Sequence, residues 1–148
     1  MSGAGERMTG SCLCGAVRFT AAPKTREVAA CHCSMCRRWT TGPFLGLECG
    51  STLEIADSSE LGVYRSSAWA ERAFCKQCGT PLFYRLVDKN FYFVSAEAFD
   101  DHAGFVFVTQ TFIEEKPGYY EFANKTHNMT GAEVFAAFAP SSPGQAEP

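Results

Sequence analysis

Seven of the eight cysteines fall into three tight groups, and no other feature limits the possible folds of this chain as strongly. The groups are Cys12-Leu13-Cys14-Gly15, Cys31-His32-Cys33-Ser34-Met35-Cys36 and Cys75-Lys76-Gln77-Cys78-Gly79. Two cysteines one residue apart in extended backbone point to the same side, so Cys12 and Cys14 can reach one ion. Gly15 lets the chain turn close to it. Cys75 and Cys78 form a knuckle whose two intervening residues let both sulfurs grip one zinc. Each outer group supplies half of a tetrahedral four-thiolate site, and together they close it as a structural zinc site. Spacing also permits the middle triplet to pair with Cys49, or the two outer pairs to bind separately. Unrelated redox or core pairs are the bland alternative.

The middle group is of another kind. Cys31 and Cys33 share a side in extended backbone, and a turn from Ser34 can return Cys36 to the same ion. Three protein ligands leave a fourth position for water or substrate, which is the arrangement of a catalytic zinc. Alternation points His32 away from Cys31 and Cys33, which favours a supporting or structural role. A ring nitrogen of His32 closing the site would instead make a second inert zinc. Cys49, alone beside Gly50, reads as a small buried hydrophobe. His102 and His127 sit in polar, loop-like segments and read as solvated.

With a formal net charge of -3 and no basic stripe, the chain lacks the phosphate-neutralising surface of a nucleic-acid or anionic-membrane binder. Met1 to Gly10 has no apolar run with a cleavage site, and no later segment is long and apolar enough to span a bilayer. A cytoplasmic location is expected, where disulfides seldom persist and paired cysteines read as metal ligands or redox groups.

The 148 residues fit a single domain, expected over 9–139, with flexible termini at 1–8 and 140–148. Between them the pattern is mainly β. Ala16 to Ala21 alternates Val17 and Phe19 inward against Arg18 and Thr20 outward. Arg26 to Ala30 leads into the second cysteine group. Pro43 to Glu48, Leu53 to Ala56, Gly62 to Ser66 and Gly104 to Glu114 are further strand segments. Leu82 to Val87 and Phe91 to Ser95 flank Asp88, Lys89 and Asn90 as a hairpin. Helix is scarce. Ser34 is placed to cap a short turn through Met35 to Trp39. Thr130-Gly131-Ala132-Glu133 matches a capping box before an Ala-rich stretch ending near Phe138.

The three groups, in this order, resemble the glutathione-dependent formaldehyde-activating (GFA) enzyme family, whose zinc-bearing, β-rich fold is also called Mss4-like or β-tent. The matching segments are Gly10 to Gly15, Cys31 to Arg37, Thr41-Gly42, Arg72 to Thr80 and the Lys116-Pro117-Gly118-Tyr119-Tyr120 run. The resemblance implies a structural zinc on Cys12, Cys14, Cys75 and Cys78 and a catalytic zinc on Cys31, Cys33 and Cys36. It implies a carbon–sulfur lyase that joins formaldehyde to glutathione, giving S-hydroxymethylglutathione, or reverses that addition. The expected partner is thus a small thiol such as glutathione or its aldehyde adduct. Many members carry a His just before the strand entering the Lys-Pro segment, whereas this chain has Gln110-Thr111-Phe112.

Three thiolates weaken the Lewis acidity of an ion they hold, so thiol exchange there is favoured over strong carbonyl polarisation. His32 and Glu48 are candidates for proton handling. Arg37, Arg38, Arg72 and Lys76 are candidates for a substrate carboxylate, against ordinary surface charge. Trp39, Phe44 and Trp69 could wall a pocket, with core packing the default. A competing class is a non-catalytic zinc module for a protein partner, which would have no use for the triplet. A methionine sulfoxide reductase needs a nucleophilic cysteine late in the chain, and none follows Cys78.

Overall fold

The computed structural model of the chain describes residues 6–138. The expected flexible tail from Pro140 lies outside the described residues, as do residues 1–5 of the expected flexible N-terminus. In chain order the strands are β1 (Met8–Ser11), β2 (Arg18–Ala21), β3 (Glu27–Cys31), β4 (Phe44–Gly50), β5 (Glu54–Ile55), β6 (Leu61–Arg65), β7 (Ala70–Cys75), β8 (Pro81–Leu86), β9 (Phe91–Ser95), β10 (Val106–Thr111) and β11 (His127–Met129). Two short helices join them, α1 (Ser34–Thr40) and α2 (Gly131–Ala137). The class is mainly β, as the alternation in the sequence leads one to expect. No helix among the described residues is long and apolar enough to cross a membrane.

The chain divides into two compact units, one built from residues up to Arg26 with Gly46–Phe105, the other from Glu27–Leu45 with residues from Val106 onward. In the first unit β1, β2 and β5 form a three-stranded antiparallel sheet in that order. β4, which enters this unit at Gly46, starts an antiparallel run in the order β4-β9-β8-β7-β6. Val17, Phe19, Leu47, Leu82, Val94 and Phe99 are buried in this unit, where the Phe19 and Phe99 rings meet edge to face at 5.4 Å. Burying such side chains contributes roughly 1.5–3 kcal/mol each. Met8 is buried too, and Arg7 donates to Thr20 Oγ1, so among the described residues the first strand starts at Met8.

β7 is absent from the sequence reading because Glu71 and Arg72 interrupt its apolar pattern. Both charges are matched locally. Arg72 is buried, donates through Nε to Ser66 Oγ and lies 4.9 Å from the centre of the Tyr84 ring. Glu71 pairs with Arg85 at 3.1 Å. Such pairing is what lets a charge enter a sheet interior.

Gly10 is where β1 passes closest to its neighbours. A Cβ added there would overlap the Phe19 ring and the backbone oxygen of Ala98, and the latter cannot swing aside. Gly10→Ala is expected to destabilise the protein by about 1–3 kcal/mol through overpacking. A lowered denaturant midpoint at unchanged slope would check it; an unchanged midpoint would contradict the close approach.

In the second unit β10 is the middle strand, parallel to β3 on one side and to β11 on the other. The register sets Gln110 beside Ala30 and Thr111 beside Cys31. Just after β10, Phe112, a non-glycine residue in the left-handed region at φ 53°, turns the chain into a single 3-10 turn at Ile113–Glu115. The expected capping box is present: Thr130 Oγ1 accepts from the Glu133 amide, and a Glu133 carboxylate oxygen accepts from the Thr130 amide. The cap of α1 differs from expectation. Cys33, not Ser34, is its N-cap, and the Cys33 sulfur accepts from the Cys36 amide at 3.3 Å. A sulfur acceptor fills the position that an oxygen usually takes.

Candidate metal centres

Two groups of sulfurs converge, each inside one unit. Cys12, Cys14, Cys75 and Cys78 bring their four Sγ atoms within 4.8 Å of one another in the first unit. Cys31, Cys33 and Cys36 do the same in the second. These are the seven cysteines the sequence singles out, gathered into one set of four and one of three. Cys49 joins neither set; it is fully buried on β4, where desolvation pushes its thiol up to about 12. That is the behaviour of an inert core cysteine.

The four-sulfur set is built from two loops. Cys12 and Cys14 follow β1, while Cys75 ends β7 and Cys78 lies in the turn that leads to β8. Gly79, at φ +83°, closes that turn in a conformation that side chains rarely adopt. A hydrogen bond from the Leu13 amide to Thr80 Oγ1, 3.0 Å, ties the loops together. Tetrahedral zinc with bonds of about 2.3 Å requires sulfurs about 3.8 Å apart. Cys12 and Cys14 stand 3.7 Å apart, and Cys14 and Cys75 3.8 Å. These two spacings match a zinc-sized ion, and all four sulfurs lie within 4.8 Å of one another.

Backbone amides prepare these sulfurs to carry negative charge. Val17 N–H points at Cys12 Sγ at 3.3 Å, and the amides of Gln77 and Cys78 point at Cys75 Sγ at 3.3 and 3.4 Å. The Thr80 hydroxyl, 3.1 Å from Cys78 Sγ, and the Thr80 amide hold the Cys78 thiol down at about 5. Hydrogen bonds to the charged form favour it. These donors suit thiolate ligands and spread the charge that four of them would bring to one ion.

The triplet lies at the end of β3 and the start of α1. Cys36 is buried, and Cys31 and Cys33 are partly exposed. Cys33 and Cys36 raise the Cys31 thiol far above its ordinary value, with burial adding to the effect. Three crowded thiolates repel one another, and a cation among them removes that penalty. The donor chemistry therefore fits a soft or borderline divalent ion such as zinc, with three sulfurs and room in the coordination sphere for a fourth ligand.

His32 is held apart from this group. It is fully buried, with Nδ1 2.8 Å from the Tyr120 hydroxyl and Nε2 2.7 Å from Gln110 Oε1. Burial lowers its pKa, and the charges of Lys116 and Arg37 act in the same direction against the Gln110 bond. His32 is thus a neutral, bonded core histidine on the face opposite to Cys31, where the alternation of β3 sends it. The register explains its partner: Gln110 faces Ala30, and the side chain two residues past Ala30 falls on the same face.

The other sequence candidates separate by unit. Arg37 donates from Nε to the His32 carbonyl at 2.8 Å, and Arg38 is exposed on α1. Trp39 stacks on Phe44 with ring centres 5.6 Å apart, packing as the default reading has it. Arg72, Lys76, Trp69 and Glu48 belong to the first unit, with Arg72 buried and Lys76 and Glu48 exposed. His102 and His127 are exposed, as expected. Sequence reasoning missed Glu115, whose carboxylate accepts from the Ser34 amide at 2.8 Å between Cys33 and Cys36. It also missed Tyr120 as the partner of His32. Neither pairing leaves a local signal, because the partners are 81 and 88 residues apart.

Residues 7–115 match the family model described as glutathione-dependent formaldehyde-activating enzyme. An uncharacterized lyase of Schizosaccharomyces pombe is 39% identical over 126 residues, covering 84% of this chain and 92% of that one. The crystal structure of a Rhodobacter sphaeroides protein shares the fold with a TM-score of 0.56 at 24% identity, over 63% of this chain and 88% of that one.

Proposed function

This chain belongs to the glutathione-dependent formaldehyde-activating enzyme family, and on that premise we propose that it is a zinc-dependent carbon–sulfur lyase. Its substrate would be an aldehyde adduct of glutathione or a related thiol, of the S-hydroxymethyl type. The observation that carries this reading is the pairing of a four-sulfur set with a three-sulfur set. Cys12, Cys14, Cys75 and Cys78 would hold a structural zinc, closed to substrate. Cys31, Cys33 and Cys36 would hold the catalytic one. A purely adhesive zinc module has no need of the second set.

In the direction of cleavage the carbon–sulfur bond of the adduct breaks and sulfur keeps the electron pair. The hydroxyl proton leaves oxygen, the carbon–oxygen double bond forms, and thiol and aldehyde are the products. Zinc bound to the triplet would supply stabilisation of the sulfur as thiolate at neutral pH. The chain's own contribution is to hold three sulfurs on one side of the β3–α1 junction, with Cys33 oriented by the Cys36 amide. Arg38, exposed on the same helix, is the residue of this unit proposed to meet a substrate carboxylate. Arg37 is proposed instead to brace the loop through the His32 carbonyl.

Exchange spectroscopy on a mixture of formaldehyde and glutathione tests this reading. The zinc-replete protein is expected to accelerate interconversion of the free thiol and its hydroxymethyl adduct. Chelation should abolish the acceleration and zinc should restore it. A folded, two-zinc protein that accelerates no thiol–aldehyde exchange across a panel of small thiols would contradict the lyase assignment.

A further inference from the structure

His32 lies between two sulfurs of the triplet, and each of its polar atoms has a partner. Its amide donates to the Thr111 carbonyl at 3.1 Å, and its carbonyl accepts from Arg37 Nε. On the side chain, the direction of each bond can be worked out from the far end. Gln110 Nε2 donates to Thr126 Oγ1 at 2.9 Å, and the Thr126 hydroxyl donates onward to Asn128 Oδ1 at 2.6 Å. Gln110 Oε1 is therefore the atom turned to His32, and an amide oxygen only accepts. Nε2 of His32 must then carry the proton, which leaves Nδ1 as the acceptor for the Tyr120 hydroxyl.

Tyr120 is itself held in place. Lys116 Nζ donates to the Tyr120 carbonyl at 2.7 Å and to the Pro117 carbonyl at 3.2 Å, and pairs with Glu121 at 2.9 Å. The Lys-Pro segment thus folds around its own lysine and delivers one phenol to the back of the cysteine strand. Gln110 is 5% exposed and His32 0%, so the bond between them is shielded from water, and the bond to Tyr120 is part-buried. A relay this buried is geometrically stiff, since breaking any one bond strands a polar atom.

We propose that His32 is a positioning residue for the three-cysteine centre, and that Gln110 and Tyr120 commit it to that role. With Nε2–H spent on Gln110 and Nδ1 on Tyr120, the imidazole has no lone pair to offer a metal. It instead clamps the backbone between Cys31 and Cys33 and keeps the centre three-coordinate from the protein side. The inference rests on the triplet holding a metal, as argued above. It assigns a specific job to residues distant in sequence: Gln110 and Tyr120 decide whether the centre stays open.

The test uses full-length protein labelled with 15N-histidine and loaded with cadmium-113 at both sites. There are three histidines, and the two others are exposed, so replacing those two singly assigns the remaining signal to the buried His32. Its expected signature is a neutral ring protonated at Nε2, with no coupling to cadmium. Gln110→Leu and Tyr120→Phe are each expected to weaken metal at the triplet by about 10–100-fold in chelator competition. The four-cysteine site in the same molecule should keep its affinity, which separates positioning from general loss of structure. Cadmium coupling to His32, an Nδ1–H tautomer, or variants that weaken both sites alike or neither would overturn the proposal. A wild-type protein whose triplet takes up no metal would sink the functional reading as well, and is distinguished by its cadmium count.

Discussion

Replacing Cys75 with serine is expected to unfold or aggregate the protein. Cys75 is fully buried, lies 3.8 Å from Cys14 and accepts amides from Gln77 and Cys78, so it organises the knuckle as well as contributing to it. A structural zinc site contributes roughly 10–16 kcal/mol of apparent binding energy. Typical net stabilities are roughly 5–15 kcal/mol. Losing one of four ligands therefore removes a large part of the margin, even if the remaining three retain some affinity. The serine variant should appear as insoluble or poorly folded protein by circular dichroism, with metal lost from the first unit. A soluble variant with a wild-type melting curve would show that the four sulfurs do not hold the fold.

The same change at Cys36 should have the opposite signature. Cys36 is buried at the start of α1, and its amide caps onto Cys33 through a bond that serine leaves intact because the backbone supplies the donor. The Thr40 hydroxyl donates to the Cys36 carbonyl, a bond to the backbone that the substitution also leaves in place. Placing a hydroxyl where a sulfur was costs about 1–3 kcal/mol if it finds no partner. The expected result is a folded protein that has lost one metal per chain and all lyase activity. The first unit's ligands are untouched. A Cys36→Ser protein that melts as badly as Cys75→Ser would contradict the separate roles of the two sets.

Much of this arrangement is legible in the residues because metal sites are written locally. Cys12 and Cys14, or Cys75 and Cys78, reveal half a site in four residues or fewer. The ligand count left other pairings open, and it was the resemblance to the family that implied the joining of the two halves. Strand alternation at Val17 and Phe19 and the Thr130 capping box are local for the same reason, and both appear as expected. What stayed hidden depends on contacts across the chain. Glu71 and Arg72 disguise β7, since nothing nearby announces that Arg85 and Tyr84 will receive them. Alternation turned His32 away from the sulfurs, yet its destination at Gln110 and Tyr120 follows from parallel pairing of β3 with β10, which no short window can display. The cap of α1 was misread for a chemical reason: serine is the usual acceptor, and here a cysteine sulfur one residue earlier takes the bond.

The Gln110 position also shows how a departure from a family pattern acquires meaning. In the sequence alone, Gln110-Thr111-Phe112 marks only a departure from the His that many members carry just before the strand entering the Lys-Pro segment. In the structure Gln110 Oε1 lies 2.7 Å from His32 Nε2, on the face of β3 to which alternation turns the imidazole.

The central claim is that one chain holds two metals by two different sulfur sets. Zinc per chain, measured by elemental analysis on zinc-replete, desalted protein with and without glutathione, tests it most directly. The account predicts close to two zincs in the wild type and close to one in Cys36→Ser, with glutathione perturbing only the triplet-bound ion. A firm value of one in the wild type, not raised by added zinc, would contradict it and leave the proposed lyase without its metal.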